Sequence, residues 1–256
     1  MVDDKGLRGF DIGLAKLIVD ELSVRIGRSL EMLPIPVPWI QLLDTPRKGQ
    51  SDFIISSITK LERRKRDFAI EFSESYFCTT HTLIYRVGAA DRPVREMIAG
   101  KIVGVQDKTT NARLAEELAK ESSFHLKTFD TTETLINALM RSEIDYGVAD
   151  IAFAVAAQIG SRLSGRDRLG FKTFTNEDFP ASIPDEERVE EYAIAVRAGE
   201  HELLNVIDGV IGKAKQDGTM TRLFKDAAQE FEHARGVTGS SRDGDTAKDR
   251  PWLCSR

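Results

Sequence analysis

Cysteine, histidine and long apolar runs are all scarce in this chain, and each scarcity removes a class of function. Only two cysteines occur, Cys78 and Cys254, with no C-x-x-C pair and no Cys/His spacing of the kind that holds zinc. The four histidines, His81, His125, His201 and His233, are scattered and read as incidental surface or packing residues rather than ligands. Neither a metal nor a cofactor is expected. No stretch approaches the roughly 18 consecutive apolar residues of a membrane span. The start, Met1-Val2-Asp3-Asp4-Lys5, lacks the apolar core of a secretory leader. No phosphate-binding loop and no G-x-S-x-G nucleophile turn is present. A net charge of −5 leaves no basic face for a nucleic acid, so none is expected as a partner.

What is there is an ordinary globular composition. The 256 residues are 41% hydrophobic and 30% charged, enough for one large domain or two small lobes. Ile12, Leu14, Ala15, Ile18, Val19 and Leu22 recur at helical spacing behind Asp11, which reads as the helix N-cap. Residues 30–36 read as extended, ending at a sheet edge or loop because of their prolines. Short apolar runs at 53–55, 102–105, 124–129, 146–149 and 192–196 read as strands. Helical patterns at 112–118, 135–140 and 152–159 alternate with them, and two amphipathic helices follow at 203–215 and 220–231. Such alternation predicts an α/β fold with a largely parallel sheet. Residues 235–256, rich in Gly, Ser, Asp and Arg, cannot bury enough apolar surface to offset ordering entropy and read as a disordered tail.

Polar clusters follow three of these strands, where α/β sheets place ligand sites. Ser56-Ser57-Ile58-Thr59 leads into Glu62-Arg63-Arg64-Lys65-Arg66; Asp107-Lys108-Thr109-Thr110-Asn111 follows the second strand; Asp150 follows the third. Hydroxyls and helix-start amides suit a carboxylate, a guanidinium clamps it with two bonds, and an aspartate pairs with an ammonium. Singly, each cluster has a plainer reading: hydroxyls that cap or turn, a basic run on a solvated helix face, an aspartate N-cap. Together they describe a receptor for a zwitterion.

Gly9-Phe10-Asp11-Ile12-Gly13-Leu14-Ala15, Val37-Pro38-Trp39, the run from Ser51 through Thr59 and Phe72-Ser73-Glu74-Ser75-Tyr76-Phe77 occur in an order that resembles the family-3 extracellular solute-binding proteins, the amino-acid receptors of ABC importers. Gly100-Lys101-Ile102-Val103-Gly104-Val105, Thr109-Thr110, Ile144 through Asp150, Tyr192 through Val196 and Asp217-Gly218-Thr219 continue the series, which covers residues 9–232. The resemblance implies a two-lobed, type II periplasmic-binding-protein-like α/β fold. Each lobe would be a mostly parallel sheet flanked by helices, with a two-segment hinge. Lobe one is expected at 1–84 plus 188–234 and lobe two at 85–187. A small ligand would be held between them by hinge closure.

It also implies roles. Ser57 and Thr59 would hydrogen-bond and orient the ligand. Arg64, seven residues after Ser57, would clamp its carboxylate, with Arg63 and Arg66 as competing registers. Thr109, Thr110 and Asn111 would grip the same carboxylate, and Asp150 would pair with the α-amino group. The expected action is binding without chemistry, by a monomer, outside the cytoplasm, with a membrane permease as a possible partner. An alternative on the same fold is a cyclohexadienyl dehydratase-like enzyme needing a placed carboxylic acid, for which Glu62, Glu74 and Glu177 are candidates. A further alternative is the sensing module of a receptor. Two departures stand out: Lys108 where the family usually has glycine, and only Met1 to Arg8 ahead of Gly9, where the family has a strand bearing an aromatic residue.

Overall fold

The computed structural model describes residues 2–3, 6–88, 92–163 and 169–234. The expected tail, 235–256, lies outside them. A short pairing of β1 (Val2–Asp3) with β2 (Gly6–Leu7) precedes α1 (Phe10–Ile26), α2 (Trp39–Leu42), β3 (Phe53–Ile54), α3 (Glu62–Phe68) and β4 (Ile70–Arg86). Then come α4 (Val94–Ile98), β5 (Ile102–Gln106), α5 (Thr110–Glu121), β6 (His125–Phe129), α6 (Thr132–Met140), β7 (Tyr146–Asp150), α7 (Ile151–Leu163) and β8 (Leu169–Thr173). Two short 3-10 turns lead into β9 (Val189–Arg197), α8 (His201–Gln216) and α9 (Thr219–Ala234). The chain forms two compact units, Met1–Cys78 with Glu191–Arg256, and Thr79–Glu190. β4 and β9 each run from one unit into the other.

In the first unit β9 is the organising strand. Its side chains alternate between two apolar layers, as the period of two in a strand requires. Tyr192, Ile194 and Val196 join Leu14 and Ile18 of α1, Ile207 and Ile211 of α8 and Met220. Ala193 and Ala195 face Ile54, Ile58, Ile70 and Phe72. That double burial is why the run at 192–196 is apolar throughout rather than alternating. β3 pairs antiparallel to it, Phe53 opposite Val196. Helix α1 stops at Gly27, whose left-handed backbone turns its N–H back to the Ser23 and Val24 carbonyls.

One expectation fails here, and one alternative is decided. The N-cap of α1 is Gly9, and Asp11 lies inside the first turn. Of the sheet edge or loop expected at the end of residues 30–36, the loop is found, with no strand; Pro34, Pro36 and Pro38 bring no N–H to a ladder and restrict the residues before them.

In the second unit β5 pairs in parallel with β6 and β7. β4 adds antiparallel to β7 and to β8, with His81 opposite Asp150 and Thr82 opposite Thr173. Leu114, Ala115 and Leu118 of α5 pack with Leu83, Val103, Val105 and Val148. Leu135, Ala138 and Leu139 of α6 pack with Ile84, Ile144 and Ala149 in a separate layer. Close approach on the α6 side demands glycine. A Cβ on Gly104 would stand 2.6 Å from Ile144 Cδ1, and one on Gly147 2.6 Å from Leu135 Cδ2. Each buried leucine contributes about 1.5–3 kcal/mol of hydrophobic stabilisation before ordering costs are counted.

Candidate ligand-binding site

The predicted residues fall into two groups, one in each unit. In the first unit the segment after β3 is stitched to β9. Thr59 bridges Tyr192, Ala193 N–H donates to Ile58 O at 3.0 Å, and Lys60 N–H donates to Glu191 O at 2.8 Å. Ser57 has a left-handed φ of 51°, uncommon for a residue with a Cβ. Its N–H donates to the Tyr76 hydroxyl at 3.2 Å. The Tyr76 hydroxyl donates to the Asp11 carboxylate, which Ser57 N–H also faces. Burial pushes the Asp11 carboxyl up to about 6, against the pull of those two donors. Burial, then the Asp11 charge, pushes the Tyr76 phenol well above its ordinary value.

Among the three candidate arginines, Arg64 is the buried one, 5% exposed, while Arg63 is half-buried and Arg66 exposed. Arg64 sits in the first turns of α3, donates from Nη1 to the Thr59 carbonyl at 2.9 Å, and lies 5.8 Å from the centroid of the Trp39 ring. A guanidinium within cation–π reach of an aromatic ring and tied to one carbonyl has its direction restricted. Thr59 itself is buried. Glu62, a candidate acid for the enzyme reading, is exposed, and its bond with Lys65 lowers its carboxyl from the ordinary value.

In the second unit Thr109 caps α5, accepting from Ala112 N–H at 3.0 Å and donating to Gln106 O at 2.7 Å. Lys108, immediately before it, has φ of 56°, the left-handed region that glycine enters freely. The departure from the glycine of the resemblance therefore falls on a strained backbone. Thr110 and Asn111 open the helix and are both buried. Asn111 is committed to its neighbours: Nδ2 donates to Asp150 Oδ1 at 2.7 Å, and Oδ1 lies 2.7 Å from His81 Nδ1. Asp150, 7% exposed, is the last residue of β7.

Sequence reading missed His81. It is 1% exposed, not a surface residue, and its Nε2 lies 2.8 Å from the Glu187 carbonyl and 4.0 Å from Glu190 Oε1. The signal was present as Thr79-Thr80-His81-Thr82, a polar run inside a strand whose continuation, Leu83-Ile84, is wholly buried. His81, Asp150 and Glu190 offer ligand atoms all within 4.8 Å of one another, the one spacing among the described residues compatible with a metal ion. Both ring nitrogens of His81 already face acceptors, however, so neither presents a lone pair to a cation.

Comparison with known proteins bears on the family and the fold. The chain is 28% identical over 220 residues to a membrane-bound lytic murein transglycosylase F of Desulfosudis oleivorans, covering 84% of this chain and 43% of that relative. It is 24% identical to the ABC transporter glutamine-binding protein GlnH of Bacillus subtilis, covering 86% of this chain and 72% of that one. Among solved structures, an ancestral arginine-binding protein bound to arginine matches with a TM-score of 0.70 and 28% identity, covering 88% of this chain and 90% of that one. Neighbours of this kind have the two-lobed fold that the motif order implied. Residues 1–229 match the bacterial extracellular solute-binding proteins, family 3, and the chain belongs to that family.

Proposed function

We propose that the chain is a receptor for a small zwitterion, an amino acid, which it binds without chemical change. The observation that carries this reading is a buried cation, Arg64 in α3, and a buried anion, Asp150 at the end of β7, 5% and 7% exposed. A ligand with a carboxylate and an ammonium complements both. Arg64 takes the carboxylate, aided by the amides that open α5 at Thr110. Ser57 and Thr59 orient it, and Asp150 takes the ammonium. The arginine and glutamine in the names of the relatives above support an amino acid as the ligand class. The family supports a place outside the cytoplasm and delivery to an ABC-type permease. The transglycosylase name is not carried over, because the chain spans under half of that relative.

A thermal-shift and calorimetric screen of the twenty amino acids tests the reading, beginning with L-arginine and L-glutamine. A ligand at a hundred times its Kd stabilises the native state by about 2.7 kcal/mol. A shift confined to amino acids and lost in Arg64→Ala is expected. Shifts with none of them in a cooperatively melting protein would sink the proposal.

A further inference from the structure

We propose that His81 is a built-in imidazolium, carrying both ring protons in the folded protein, and that through Asn111 it fixes the direction of the Asp150 carboxylate. It is a positioning residue, and its place in ligand capture rests on the reading just given for Asp150.

The argument starts from donors and acceptors. An ionised carboxylate only accepts, so the Asn111 group 2.7 Å from Asp150 Oδ1 is the amide nitrogen. The other end of Asn111, 2.7 Å from His81 Nδ1, is then its carbonyl oxygen, another acceptor. The second ring nitrogen, Nε2, faces the backbone carbonyl of Glu187 at 2.8 Å, which can only accept. A neutral imidazole has one donor and one lone pair, so either tautomer would press a lone pair against an oxygen at under 3 Å in a site closed to water. Losing the Nδ1 proton would be relieved only by turning Asn111 over, which would set its carbonyl against Asp150. The doubly protonated ring satisfies every contact.

The charges around the ring agree. Asp150 comes from β7, directly opposite His81 in the ladder. Glu190 comes from β9, with Oε1 4.0 Å from Nε2, and is fully buried. Glu187, from the turn before β9, has its carboxylate turned to Arg113 of α5 at 2.9 Å. On the remaining sides stand the rings of Phe174 and Phe179, 6.4 and 5.7 Å from the imidazole centroid.

The test reads the ring directly. Protein labelled with 15N-histidine is examined by long-range 1H–15N correlation at pH 7, with the His81 signals assigned by their loss in His81→Gln. Both His81 nitrogens are expected at the protonated position. One unprotonated His81 nitrogen, or stoichiometric zinc bound by wild type and lost in His81→Gln, overturns the proposal. The positioning part is read with L-arginine and L-glutamine in wild type, His81→Gln and Asn111→Ala, the second variant covering the case where the first misfolds. A tenfold or greater loss of affinity in a variant with native circular dichroism is expected, and unchanged affinity overturns the positioning role. If none of the twenty amino acids binds wild type, the receptor reading fails, while the ring spectrum still decides the charge on His81.

Discussion

The hydroxyl of Tyr76 accepts the backbone N–H of Ser57 at 3.2 Å. One oxygen on β4 thus holds a residue with left-handed backbone beside the proposed orienting Thr59. The same hydroxyl donates to Asp11, tying α1 into the arrangement. Tyr76→Phe removes only that oxygen. It should cost about 1–2 kcal/mol in urea unfolding, the usual range for a hydrogen bond whose partners stay buried. It should also weaken amino-acid binding, because Ser57 loses its tether. Full affinity with reduced stability would separate the tether from the site.

Asp11 gives a pH signature. Its carboxyl keeps a proton up to about pH 6 in the fold but loses it near 3.8 unfolded. Between those values the folded state binds more protons, so stability falls as pH rises through the window. The loss amounts to about 3 kcal/mol at most, and is complete above the folded value. Asp11→Asn cannot ionise, so its stability should change less between about pH 4 and pH 7 than that of wild type, in parallel urea titrations. Identical slopes would mean the carboxyl ionises as readily in the fold as outside it.

The arginine register separates by burial. Arg64→Ala should abolish binding in calorimetry, whereas Arg66→Ala, removing an exposed side chain, should leave affinity within about twofold and stability within about 0.5 kcal/mol. The reverse outcome would assign the clamp to Arg66.

Lys108 carries a strained backbone. Lys108→Gly relieves a left-handed φ of 56° and should raise stability by about 0.5–1 kcal/mol, once the greater freedom of glycine in the unfolded chain is set against the relief. A lower urea midpoint would show that the lysine side chain contributes more than its backbone costs.

Most of the architecture was legible because buried strands and helix faces write themselves as apolar runs. β5, β7 and β9 are such runs, and α8 and α9 repeat at helical spacing. β4 was not legible as one 17-residue strand, because its centre is occupied by Thr79, His81 and Thr82, buried polar residues; Thr82 donates to the Ala149 carbonyl and His81 faces Asn111 and the Glu187 carbonyl, partners remote in the chain. Asp11 looked like a cap because cap and first-turn residues share a chemistry; its true partners, Tyr76 and Ser57, are remote in the chain. The extended segment at 30–36 had apolar content but too many prolines to join a ladder. Around the proposed site, Ser57, Thr59, Arg64 and Asp150 could be named from motif order. That order could not say that Asn111 is spoken for by His81 and Asp150.

The division of the chain into Met1–Cys78 with Glu191–Arg256, and Thr79–Glu190, sets an order of birth. The second unit is one uninterrupted stretch, so it leaves the ribosome whole. The first must wait, since β9, α8 and Met220 supply much of its core and are made last. During synthesis its early part, α1 through β3, exposes Leu14, Ile18 and Ile54 with nothing yet to cover them. That is the interval in which the nascent chain is most open to aggregation.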